Sequence, residues 1–111
     1  MEIQKLEIKS VDPRRRSGTC FVGYLDMTFA DLVARFGPPL LARSGEGKTR
    51  AEWVLGFGSF VFTIYDYCDS RPIENVRPWH VGGNIAALEG IGEILPRLGL
   101  PFSSHPPQSR K

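Results

Sequence analysis

The chain has 111 residues, 41% of them hydrophobic and 23% charged, which fits one globular domain and leaves too little length for two separately cored ones. Fourteen Lys plus Arg against 12 Asp plus Glu give a formal charge of +2, which argues against bulk neutralisation of DNA and against an acidic mimic of nucleic acid. No run approaches the ~20 apolar residues of a membrane helix, and residues 1–10 alternate charge and apolarity without a signal-peptide core, so a cytoplasmic location and no membrane association are expected.

In chain order, residues 2–9 carry Leu6 and Ile8 two apart, the spacing of a half-buried strand, with Ile3 out of phase. Residues 12–18 form a polar loop around Arg14, Arg15 and Arg16, and residues 19–25 (TCFVGYL) read as a second strand paired to the first in a hairpin. The first helix is the best-marked element. Phe29, Leu32, Val33 and Phe36 make one apolar stripe. Thr28 stands at the N-cap, Asp31 at the third helical position, and Met27 and Leu32 at the positions of a hydrophobic staple. Gly37, in a left-handed conformation, and Pro38-Pro39 end the helix at about residue 36.

Residues 40–50 read as a polar loop. Residues 51–57 and 60–67 flank Gly58-Ser59, the spacing of a two-residue type II′ hairpin. That register sets Phe57 opposite Phe60, Leu55 opposite Phe62 and Trp53 opposite Ile64, all on one face against the helix. Glu52, Val54, Val61, Thr63, Tyr65 and Tyr67 fall on the other face, which would stay partly exposed, and Asp66 should emerge at the sheet edge. Residues 68–77 read as a polar loop and residues 79–81 as a short strand. Gly82-Gly83 breaks the chain, and Asn84 caps a second helix bearing Ile85, Leu88, Ile91, Leu95 and Leu98. Pro96 ends it or marks a turn. The expected architecture is α+β: an antiparallel sheet of about four to five short strands packed by two helices, in the order ββ-α-ββ(β)-α. Residues 1–101 form this single domain, and 102–111 a flexible C-terminal tail.

Cys20 and Cys68 are not in a CxxC pair, and His80 and His105 lack zinc-ligand spacing, so neither a metal nor a cofactor is expected. The cysteines read as small buried side chains, with a disulfide dependent on whether their strands pair. Charge is uneven. Residues 1–50 hold nine basic and six acidic side chains, net +3, and residues 51–111 hold five and six, net −1.

The segments TFADLVARFGPP (28–39), KTRAEWVLGF (48–57), FTIYDY (62–67) and WHVGG (79–83) resemble small, mostly uncharacterised proteins encoded by tailed phages and prophages. The resemblance covers about half the chain, and TIYDY followed by WHVGG is its most specific part. It implies a phage or mobile-element setting in a bacterial cell and carries no common activity. Residues 68–77 depart from the pattern. A phage protein of this size without a catalytic motif looks like an accessory or counter-defence factor, the anti-CRISPR type included.

Several residues invite a functional reading. Trp79-His80 beside a Gly-Gly turn would suit a ligand reader, although a strand-end His with Trp79 in the core is the simpler account. Gly82-Gly83 before a helix would suit an anion, although a plain turn is simpler. GEGK (45–48) lacks the spacing of a phosphate loop. Tyr65 and Tyr67 suit an interface, because tyrosine buries area at low entropic cost and keeps a polar tip. Arg14, Arg15, Arg16, Arg71 and Arg77 are the cations available to a partner. No Ser-His-Asp order and no carboxylate pair of glycosidase type is recognisable.

The leading expectation is a non-enzymatic, phage-encoded inhibitor that binds a bacterial defence complex and blocks it sterically. The alternatives are a nucleic-acid-binding accessory protein, stacking bases on Tyr65, Tyr67 or Trp79, and a small-nucleotide sponge built on the Gly-Gly helix start. The half-apolar second sheet face also permits a homodimer.

Overall fold

A computed structural model gives the fold, and the residues it describes are 9–10, 20–41, 51–57, 60–66, 71–84 and 90–104. The elements are β1 (Lys9–Ser10), β2 (Cys20–Leu25), α1 (Phe29–Phe36), β3 (Leu40–Leu41), β4 (Ala51–Phe57), β5 (Phe60–Tyr65), a 3-10 turn (Ile73–Asn75), β6 (Trp79–Gly83), α2 (Ile91–Arg97) and β7 (Phe102–Ser103). The class is α+β, with two helices on an antiparallel sheet. Four strands, β2, β4, β5 and β6, form its body, and three two-residue strands extend its edges. The order is β1-β4-β5-β6-β2-β7, with β3 also on β4.

Local chemistry explains α1. The Thr28 hydroxyl accepts the Asp31 N–H, and the Asp31 carboxylate accepts the Thr28 N–H, a reciprocal capping box. Gly37 ends the helix at φ 84° and ψ −170°. Its φ is positive as expected, but its ψ puts it in an extended region open essentially to glycine alone, outside the left-handed helical well. The Gly37 carbonyl accepts the Trp53 indole N–H at 2.9 Å, so the helix end is tied to the core. The Arg35 guanidinium donates to the Leu98 carbonyl at 2.6 Å and ties α1 to the end of α2.

The β4–β5 hairpin has the expected register, with Phe57 opposite Phe60, Leu55 opposite Phe62 and Trp53 opposite Ile64. Trp53, Leu55, Phe62 and Ile64 join Leu25, Trp79 and Val81 in a core closed by Leu32 of α1 and by Ile91 and Leu95 of α2. We call this the helix face.

Long-range pairing corrects several expectations. β1 does not form a hairpin with β2. It pairs with β4, while β2 pairs with β6 and β7. Residues 40–41, expected in a loop, pair with Glu52 and Ala51. Gly82-Gly83 does not break the chain, because both residues lie in β6. A Cβ on Gly82 would stand 2.9 Å from the Thr63 hydroxyl and 3.3 Å from the Cys20 carbonyl, so glycine here serves close strand packing. The helix start expected at Asn84 falls on residues outside those described, and Asn84 itself follows β6. Its backbone N–H donates to the Val61 carbonyl, and its side-chain carbonyl accepts the Val61 N–H. Residues 85–89 lie outside the described residues; α2 spans Ile91–Arg97, with Pro96 in its last turn.

Phe102–Ser103, expected at the start of a tail, instead form β7 on Leu25 and Tyr24. Cys20 is exposed rather than buried and is a free thiol; Cys68 lies outside the described residues. Asp66 is 1% exposed, where a solvated sheet-edge position was expected. Its carboxylate accepts the Ala51 N–H at 3.0 Å, extending the β4–β5 ladder by one side-chain bond.

Candidate functional site

Strand register assembles one row of side chains across the sheet, on the face away from the helices. Leu40 pairs with Glu52, Glu52 with Tyr65, Tyr65 with His80, His80 with Tyr24, and Tyr24 with Ser103. Directly paired residues of neighbouring strands share a face. Glu52, Tyr65, His80 and Tyr24 are all half-buried. The next row is closed at Val54, 3% exposed, and at Thr63, 2% exposed, and runs through Gly82 to its register partner Phe21. The second face is therefore less open than its sequence suggested, and its accessible part narrows to one end.

The rings of the row touch. Tyr65 stacks on His80 at 5.6 Å and 26°, and Tyr24 tilts against His80 at 5.3 Å. Phe21 joins them, 5.2 Å from Tyr24 and 5.5 Å from His80. Phe21 and Tyr24 are three residues apart, so a regular strand would send them to opposite faces. A register shift between Phe21 and Gly23 restores them to one face. Such a bulge re-aims a side chain. Phe21 is 49% exposed, the most exposed large apolar side chain among the described residues. Gly23 allows the arrangement, since a Cβ there would stand 2.6 Å from the Phe102 ring and from the Ser103 carbonyl.

At the same end of the sheet, Asp26 follows β2 and Arg77 precedes β6. Their side chains pair at 2.6 Å and are 42% and 51% exposed. The hydrogen bond that Arg77 donates to Asp26, then the charge of Asp26, and more weakly that of Asp31 hold Arg77 still more firmly protonated than usual. Arg71 donates to the Arg77 carbonyl at 3.2 Å, so the two arginines expected to face a partner sit together, with Arg77 engaged by Asp26.

Trp79 is unsuited to read a ligand. It is 0% exposed, packed 5.4 Å from Trp53 and 6.1 Å from Phe29. Its indole N–H is buried without an acceptor among the described residues. His80 points the other way, into the row. Gly82 and Gly83 lie in β6, and the helix start expected after them falls on residues outside those described. Arg14, Arg15, Arg16 and Tyr67 lie outside the described residues.

Sequence reasoning reached Tyr65 and His80 but missed Phe21, Tyr24 and Glu52 as neighbours. The segment FVGY carries the signal only in a weak form, a glycine inside a strand pattern, which marks a bulge.

Among the described residues, no three His, Cys, Asp or Glu side chains are grouped to hold a metal ion, and no helix is long and apolar enough to cross a membrane. No protein-family model matches the chain, and neither a curated protein nor a solved structure matches it.

Proposed function

We propose that the protein is a small, non-enzymatic binding protein that acts by covering a surface of a protein partner. The resemblance of its central segments to phage and prophage proteins makes a bacterial defence complex the partner of choice, with cytoplasmic counter-defence of the anti-CRISPR type as the role. One observation carries the binding reading: a half-exposed Phe21, turned by a bulge onto the Tyr24–His80–Tyr65 row. Clustered aromatics backed by a rigid sheet are the usual make-up of interface hot spots, and a polar rim such as Asp26–Arg77 surrounds them.

The aromatic row also suits base stacking, the nucleic-acid alternative. The formal charge of only +2 counts against that alternative, however. The helix start on which the nucleotide-sponge reading rests lies outside the described residues.

The test is phage plating on a host whose CRISPR–Cas immunity matches the phage. Expression of the protein should restore plaques, and Phe21→Ala should abolish that effect while leaving the protein folded. Unchanged immunity, together with capture of no defence-complex subunit from host lysate, contradicts the proposal. A gel shift at low salt that weakens steeply with added salt moves the assignment to nucleic acid.

A further inference from the structure

We infer that Phe21 receives a segment of this same chain, residues 105–111 (HPPQSRK), through the proline pair Pro106-Pro107. The contact makes that segment a strap that competes with the protein partner for Phe21, a role that rests on the binding reading above.

The placement of β7 carries the argument. β7 is antiparallel to β2, with Phe102 opposite Leu25 and Ser103 opposite Tyr24, so its direction runs along β2 from Leu25 toward Phe21. Tyr24 and Phe21 are three residues apart, and so are Ser103 and Pro106, roughly 10 Å of extended chain in each case. Residues 105–111 lie outside those described and follow Ser104 directly, so Pro106 is tethered within reach of the Phe21 ring. That ring is 49% exposed. Among the described residues, β6 takes one side of β2, and on the other side β7 pairs with Tyr24 and Leu25 but with none of Cys20, Phe21 and Val22.

Proline suits this position on two counts. It has no N–H, so Pro106 and Pro107 cannot carry the β7 ladder onward and must meet β2 through their side chains. Consecutive prolines also hold an extended conformation before any contact, so packing them on an aromatic ring costs little ordering entropy. Tethering supplies the rest. At an effective concentration on the order of 1 mM, a contact with an intrinsic Kd of about 1 mM covers Phe21 about half of the time and weakens partner binding about twofold.

The test is NMR on the full chain, reading cross-relaxation between the Phe21 ring protons and the ring protons of Pro106 and Pro107. These cross-peaks should be present, independent of protein concentration, and lost in Phe21→Ala. Replacing Pro106→Ser and Pro107→Ser together should shift the Phe21 and Tyr24 ring signals. It should leave the Trp53 indole signal, which reports the core bond to Gly37, in place. Absent cross-peaks overturn the inference, and so do unchanged Phe21 signals in the double variant. Cross-peaks that fade on dilution overturn it as well, because they assign the contact to a second copy.

The two readings fail separately. Restored plaques that need Phe21, without the proline cross-peaks, remove the strap and leave the inhibitor. Proline cross-peaks in a protein without any effect on immunity do the reverse.

Discussion

The two faces of the sheet are built from the same strands yet do different work. On the helix face, Trp53, Leu55, Phe62, Ile64, Trp79 and Val81 are each at most 2% exposed and are sealed by α1 and α2. On the other face, the same strands carry Glu52, Tyr65, His80 and Tyr24, all half-exposed, with Phe21 beside them. Strand alternation sets the two faces apart, because each residue that points to the helix face sends its neighbours to the other; there Val54 and Thr63 are buried as well, which confines the accessible part to the row and Phe21. Burial of the first face supplies the stability, so the residues of the second row are free to be chosen for contact.

The largest effect should come from breaking the helix face. Trp53→Ala removes a fully enclosed ring and its bond to Gly37, and should cost about 3–5 kcal/mol in chemical denaturation. Losses on that scale approach the whole stability of a small domain. Next is Gly23→Val, which forces a side chain into the Phe102 ring and the Ser103 carbonyl. It should cost about 1–3 kcal/mol and detach β7, read as lost amide-exchange protection at Asp26, whose N–H donates to the Pro101 carbonyl.

A finer comparison contrasts the two core tryptophans. Trp53→Phe should destabilise more than Trp79→Phe, by about 1 kcal/mol, because the first indole N–H is bonded and the second has no acceptor among the described residues. Equal losses would show that the Trp79 N–H is satisfied. The smallest change belongs to the rim. Asp26→Asn removes an exposed ion pair and should cost under about 1 kcal/mol, a difference that shrinks as salt is added.

These contrasts also explain what the sequence made legible. Thr28, Asp31 and Gly37 act within a few residues of one another, so the limits of α1 can be read directly. The β4–β5 register follows from a two-residue turn and two alternating strands. The pairing of β1 with β4, and of β2 with β6, joins segments separated by tens of residues, and nothing local selects the partner. Gly82 and Gly83 obey the rule for breakers only until their neighbours are known. Thr63 and Cys20 press on Gly82 from both sides and make it a strand residue. The candidate surface was the least legible part, because its four contributing strands meet only in the folded sheet. The bulge also hides the relation between Phe21 and Tyr24: by spacing they belong to opposite faces, and in the structure their rings are 5.2 Å apart.

The division between a stabilising face and a proposed contact face is tested most directly by the affinity of Phe21→Ala for the partner proposed above, measured beside that of the unmodified protein. The account predicts an unfolding midpoint within about 0.5 kcal/mol of unmodified protein and at least about a tenfold loss of affinity. Unchanged affinity in a folded Phe21→Ala protein would contradict it and move the contact away from the aromatic row.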